Sequence, residues 1–191
     1  MKNVSSIERP AVRSARRLTP GDVVSPRAVE TITARTTRLP DPESLVHLQF
    51  RRFAGCPVCN LHLRSVARRH DEIRAAGVVE VAVFHSPVEA MLPYQGDLPF
   101  ATVADPDKKL YVAFGVESSP RALLDPRAWP ALVRGALTRR PAGPDEGGGG
   151  LGLPADFLIG PEGGIREVRY GRHADDQWPV EELLRLAAVH R

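Results

Sequence analysis

Cysteine is nearly absent from this chain, with two in 191 residues. That excludes a small domain stapled by several disulfides. Aromatic residues make up only 6%, so a core has to be assembled from Val, Leu, Ala and Ile, and no aromatic-rich strand is available to stack bases. Lysine occurs only at Lys2, Lys108 and Lys109. The other basic residues are scattered arginines, nearly balanced by acids to a formal charge of +3, which argues against nucleic-acid binding. No apolar run reaches the ~18 residues that would span a bilayer. The N-terminal "MKNVSSIERPAVRSARRLTP" lacks the continuous apolar stretch of a secretory signal and reads as a basic arm. These absences lead to the expectation of a cytoplasmic protein with no membrane and no nucleic-acid partner. In a reducing compartment a close cysteine pair is more often catalytic, redox-sensing or metal-binding than a staple.

What is present is enough apolar residue, 42%, to bury one good core. Residues 1–17 read as a flexible arm and 18–191 as one domain. "AVETITARTTRL" (Ala28–Leu39) alternates like a strand, and "LVHLQFRRF" (Leu45–Phe53) places Val46, Leu48 and Phe50 on one face of a core strand. From Pro57 to Ala76 the apolar positions change to helical spacing, and Gly77 is a helix stop. "VVEVAVF" (Val78–Phe84) reads as a strand covered on both faces. The run is therefore a βαβ unit with a parallel, right-handed crossover. A short helix is expected after Ser86 and Pro87, a strand at Phe100–Asp105, and a helix begun by Asp105–Pro106 and closed by Gly115. Residues 118–152 read as an insertion, interrupted-helical around Trp129 and Gly-rich in "PAGPDEGGGGLG". A hairpin, "ADFLIG" to "IREVRYG", and an amphipathic helix, Trp178–Val189, close the chain.

Both cysteines lie in "FAGCPVCNLHLRS" (Phe53–Ser65), where a strand feeds a helix. Cys56 falls at the first helical position or just before it, where unpaired N–H groups and the helix dipole favour an anion. A thiol there ionises more readily, and the thiolate is the reactive species. Pro57 suits the first turn because it has no N–H to orphan. Cys59, one turn on, is close enough for a disulfide but more shielded. Cys56 is thus the expected nucleophile and Cys59 the resolving thiol, with a redox-active disulfide in place of any bound cofactor. Two other readings stay open. One is zinc, with His62 and His70 following on the helix but no second ligand pair from another loop; no metal is expected. The other is two inert core thiols.

The order "LTPGD", "LVHLQFRRFAGCPVC", "VEVAVFHS", "FATVADPDKKLYVAFGV" and "LPADFLIGPEGGIREVRYG" resembles the thioredoxin-like superfamily, and within it the AhpC/TSA branch of peroxiredoxin-like or redoxin proteins. The resemblance runs from about Leu18 to the C-terminus except near residues 118–152. It implies an α/β, thioredoxin-like fold: a central mixed sheet flanked by helices, with the helical and Gly-rich insertion before the last hairpin. It implies a thiol-dependent oxidoreductase of antioxidant type, supplied by a thioredoxin, glutathione or other low-molecular-weight thiol reducing system. The substrate would be a disulfide or a peroxide. It also implies a cis proline opening the strand that faces the cysteines, for which Leu153–Pro154 is the candidate, presenting the Leu153 backbone to substrate beside Pro57. Departures are plain. A peroxiredoxin carries a Thr three residues before its cysteine and a Pro four before that; here they are Phe53 and Gln49. Its Arg position aligns with Pro154, and the buried acid of thioredoxins with Phe50. Cys-Pro-Val-Cys is nearer in type to the Cys-Pro-x-Cys of glutaredoxins. A thiol-dependent peroxidase and a non-enzymatic redox sensor or binding module are the alternatives.

Overall fold

The computed structural model describes residues 16–116 and 153–190. The arm as far as residue 15 and the expected insertion at 118–152, with Trp129, lie outside the described residues. A five-stranded sheet carries the fold. Its strands are β3 (Leu45–Phe50), β4 (Val78–Phe84), β5 (Ala101–Ala104), β6 (Ala155–Ile159) and β7 (Ile165–Tyr170), in the order β5-β4-β3-β6-β7. The first three are parallel, while β6 runs antiparallel to β3 and β7 antiparallel to β6. The expected βαβ unit is therefore present, and the hairpin completes a mixed sheet.

Three expectations are corrected in detail. The strand-like stretch from Ala28 to Leu39 is a small antiparallel hairpin, β1 (Arg27–Glu30) and β2 (Thr36–Leu39), turned through Ala34, whose φ of 55° lies in the left-handed region. The helix expected over Pro57–Ala76 is two: α1 (Pro57–Arg68) and α2 (His70–Ala75), divided at Arg69. The remaining helices are α3 (Val88–Gln95), α4 (Lys109–Ala113) and α5 (Val180–Val189). The start of α4 is later than expected: a turn follows Asp105, Lys108 in the left-handed region is the N-cap and Lys109 the first helical residue, although the Asp105 carboxylate still accepts the N–H groups of Lys109, Leu110 and Tyr111 at 2.9, 2.7 and 3.2 Å. Gly115, with φ of 65°, ends that segment. Among the described residues no helix is long and apolar enough to cross a membrane.

The two faces of the sheet are covered differently. One packs Val46, Leu48, Phe50, Val81, Val83, Ala155, Phe157 and Ile159 against Leu110, Tyr111 and Phe114. The other packs Leu45, Ala82, Phe84 and Leu158 against α1, α2, Met91 of α3, Trp178 and α5, and both cysteines belong to it. Every residue of β3 is buried, including His47 and Gln49. The alternation of β3 thus separates two buried faces, one apolar and one polar, because helices cover both sides.

Candidate active site

The chain leaves β3 at Phe50 and reaches α1 seven residues later. Between them a tight turn is fastened at several points. The Ala54 N–H donates to Ser86 Oγ at 2.9 Å, and the Cys56 N–H to the Phe53 carbonyl at 3.0 Å. The Ala54 carbonyl accepts from Asn60 Nδ2 and from Gln95 Nε2, each at 2.9 Å, and Gln95 Nε2 also meets Asn60 Oδ1 at 2.6 Å. α1 and the end of α3 therefore both hold the loop that delivers Cys56.

Cys56 is the N-cap of α1 and Pro57 opens the helix, as the sequence predicts. Cys59 lies one turn inside. Both thiols are reduced and fully buried. The Cys59 thiol donates to Cys56 Sγ across 2.9 Å, a separation one small movement from a disulfide bond of ~2.05 Å. Arg52 Nη1 stands 3.7 Å from Cys56 Sγ, and the Arg52 guanidinium lies over the Phe53 ring at 5.4 Å. Burial alone would raise the Cys56 pKa. The Cys59 thiol, the Arg52 charge and the backbone N–H groups of Cys59 and Val58 reverse this and bring it down to about 7. Cys59 goes the other way: burial and the neighbouring Cys56 sulfur hold it well above the ordinary thiol range. One thiol is prepared as an anion and its partner as a proton holder.

The residues between strand and turn belong to a buried polar cluster on the same face of the sheet. Arg51 Nη2 meets Asp156 Oδ1 at 2.6 Å, Gln49 Oε1 at 2.5 Å and His62 Nε2 at 3.3 Å. His47 lies between Glu80, at 2.9 Å, and Asp156, at 3.3 Å, and its ring packs on Trp178. Gln49 Nε2 donates to Glu80, and the Trp178 N–H donates to Asp156 Oδ2 at 3.2 Å. Burial alone would depress the His47 pKa, but the Glu80 and Asp156 carboxylates hold it up at about 9, so the ring is charged. Arg51 and His47 in turn keep Asp156 well below the usual carboxylate range despite its burial. The half-buried His62 is pushed down to about 3 by burial and by Arg51, and is neutral. Two cations, Arg51 and His47, therefore face two carboxylates in the dry interior, as buried charge requires.

Leu153 and Pro154 stand at the end of the sheet from which β3 departs for the cysteines, since Ala155 pairs with Phe50. The expected cis bond is not there. The cis peptide bond among the described residues is Leu39–Pro40, and Leu153–Pro154 is trans. The Pro154 carbonyl accepts the Gly171 N–H at 2.8 Å.

Arg51, Arg52, Asp156, Glu80 and Tyr111 are functional candidates that reading the sequence did not single out. A signal for two of them, Glu80 and Asp156, exists: each central strand carries polar residues within an apolar run. His47 and Gln49 occur in "LVHLQF", Glu80 in "VVEVAVF" and Asp156 in "ADFLI". The register sets His47 opposite Glu80 and Gln49 opposite Asp156. Among the described residues no group of three or more His, Cys, Asp or Glu is arranged to hold a metal ion.

The fold is that of redox proteins of known structure. A peroxidoxin, BcpB, from Mycobacterium tuberculosis is similar over 92% of this chain and 99% of its own, with a TM-score of 0.69 and 15% identity. AhpC from the same organism matches over 92% and 94%, with a TM-score of 0.63 and 16% identity. A candidate thiol:disulfide interchange protein DsbE from Chlorobium tepidum matches over 89% and 99%, with a TM-score of 0.59 and 19% identity. No curated protein matches the chain. The AhpC/TSA family model matches residues 21–168. The chain belongs to the AhpC/TSA family, on the thioredoxin-like fold that its sheet and helix-capping cysteine display.

Proposed function

We propose that this protein is a thiol-disulfide oxidoreductase working through Cys56 and Cys59. The observation that supports it is the opposed state of the two sulfurs 2.9 Å apart: Cys56 favoured as thiolate beside Arg52, Cys59 kept protonated. The Cys56 thiolate attacks one sulfur of a disulfide, an S–S bond forms to Cys56, and the other substrate sulfur departs as a thiolate. Cys59 then attacks Cys56, its proton passes to the departing sulfur, and the Cys56–Cys59 disulfide remains. Two electrons from an external thiol, of the thioredoxin, glutathione or other low-molecular-weight kind, restore the pair. Such a supply fits a cytoplasmic setting.

Reduction of a small peroxide is a second reading, and two observations favour it. Cys56 is completely buried, which suits a small oxidant better than a folded protein disulfide. Arg52 also brings a cation to the sulfur from a position other than the usual one. Peroxide would give a Cys56 sulfenic acid and water (or an alcohol), and Cys59 would displace water to form the same disulfide.

The deciding experiment mixes fully reduced protein with stoichiometric hydrogen peroxide or with a small aromatic disulfide. The Cys56–Cys59 disulfide is followed by thiol trapping and mass. Faster reaction with the disulfide supports the exchange activity, and a peroxide rate larger by orders of magnitude makes the protein a peroxidase. Disulfide formation with no turnover in the presence of thiol reductants would make it a sensor. No oxidation by either reagent would sink the redox reading.

A further inference from the structure

Arg51 and Arg52 are consecutive, yet they enter different surroundings, as neighbours in an extended segment do. Arg51 is fixed at its backbone and at both guanidinium tips, while its buried Nε has no hydrogen-bond partner among the described residues. Its N–H donates to the Val83 carbonyl at 2.8 Å, and its own carbonyl accepts the Tyr111 hydroxyl, which also donates to Val83 at 3.1 Å. Nη1 returns to the Phe50 carbonyl at 3.2 Å. Nη2 is shared by Asp156, Gln49 and His62. Asp156 is itself held from the far side by the Trp178 N–H and by His47. Strands β4 and β6 and helices α1 and α4 thus converge on one residue that makes no hydrogen bond to either cysteine. One peptide further on, Arg52 does reach Cys56.

A buried ion pair is a poor device for stability alone, since an apolar pair of equal volume serves as well or better. What a multiply bonded guanidinium supplies is direction. We infer that Arg51, through its buried pair with Asp156, is a positioning residue: it fixes the peptide from which Arg52 reaches Cys56, and so sets the reactivity of that thiol. The inference rests on Cys56 being the reactive sulfur.

The test follows alkylation of Cys56 by iodoacetamide in the fully reduced, full-length protein, mapped by mass, from about pH 5 to about pH 9. A wild-type midpoint in the ordinary thiol range would remove the functional reading itself, independently of Arg51. Given a lowered wild-type midpoint, Arg51→Lys keeps the charge but loses the fork, and should raise the midpoint by roughly one unit, cutting alkylation at neutral pH about fivefold. Tyr111→Phe, which preserves core volume and releases the Arg51 carbonyl, should shift it the same way by less. Arg52→Met should raise it at least as far, and adding Arg51→Lys or Tyr111→Phe to Arg52→Met should give no further shift. The inference is overturned if both single variants leave the midpoint unchanged. It is equally overturned if their shifts persist in full beside Arg52→Met, because Arg51 would then act on Cys56 without Arg52. Should Arg51→Lys fail to fold, Tyr111→Phe alone and combined with Arg52→Met decides the question by the same two criteria.

Discussion

The two faces of the central sheet share their strands and differ in almost everything else. On one, Phe50, Phe114, Phe157, Tyr111 and Tyr170 meet edge-to-face or tilted, with ring centroids 5.0–5.7 Å apart. On the other, two cations and two carboxylates are buried beside the helix that carries the cysteines. Neighbours in one strand divide between them: Asp156 enters the charged cluster and Phe157 the aromatic stack. The aromatic face stabilises by burial and tolerates small adjustments in shape. The charged face costs desolvation and stabilises only while each partner stays in place. Cys56 and Cys59 lie on the second face, the one whose geometry is held partner by partner.

The largest effect expected tests whether the charged face is the working one. Cys56→Ser should abolish oxidation by peroxide and by disulfide, whereas Cys59→Ser should leave the first attack intact and trap a mixed disulfide on Cys56, visible as added mass. Full activity in Cys56→Ser would remove the assignment. A sharper contrast comes from the two neighbours in β6. Phe157→Ala should cost about 3–5 kcal/mol of stability through the cavity it leaves, with the pH midpoint of Cys56 alkylation unmoved. Asp156→Ala should cost a similar amount, about 3–5 kcal/mol, because Arg51 is left buried without its carboxylate, but the Cys56 midpoint should rise. Equal midpoints in the two variants would mean that the faces do not differ in what they do for the thiol.

The smallest effect is a slope with pH. His47 binds its proton more tightly folded than unfolded, since its folded value is about 9 and its ordinary value 6.5. Its contribution is therefore complete below about pH 6.5 and is lost as pH rises through 9. Cys56 is shifted the other way, to about 7, so its contribution grows with pH over much of the same range. The two oppose each other in the wild type. Urea unfolding of reduced protein should show stability rising with pH just above neutrality in His47→Gln, where the Cys56 slope is no longer offset by the ring and Cys59 opposes it only above about pH 8.5. A wild type and variant whose stabilities stay a constant distance apart from pH 6 to 9 would show that the buried ring carries no extra proton.

Much of the architecture was legible because local rules and tertiary demands agree in it. The apolar run of β4, the Gly115 stop after α4, and the strand–turn–helix around Cys56 each follow from neighbours in sequence. The single long strand read over Ala28–Leu39 failed because alternation persists through both arms of a hairpin and does not mark its turn at Ala34. Leu153–Pro154 failed as a cis site because the two isomers of an X–Pro bond are close in energy and no local residue pattern selects between them.

By itself the sequence determined the class of fold and the placing of its two cysteines at a helix start. Two cysteines at a helix start are a local pattern, and a helix terminus exerts its field within a single turn. Only the tertiary structure decided what surrounds them. Arg51, Arg52, His47, Glu80 and Asp156 read as ordinary polar interruptions in separate segments, up to 109 residues apart between His47 and Asp156. Sheet register brings them together, and burial in a dry interior turns them into an interacting set, because charges attract strongly only where water is excluded.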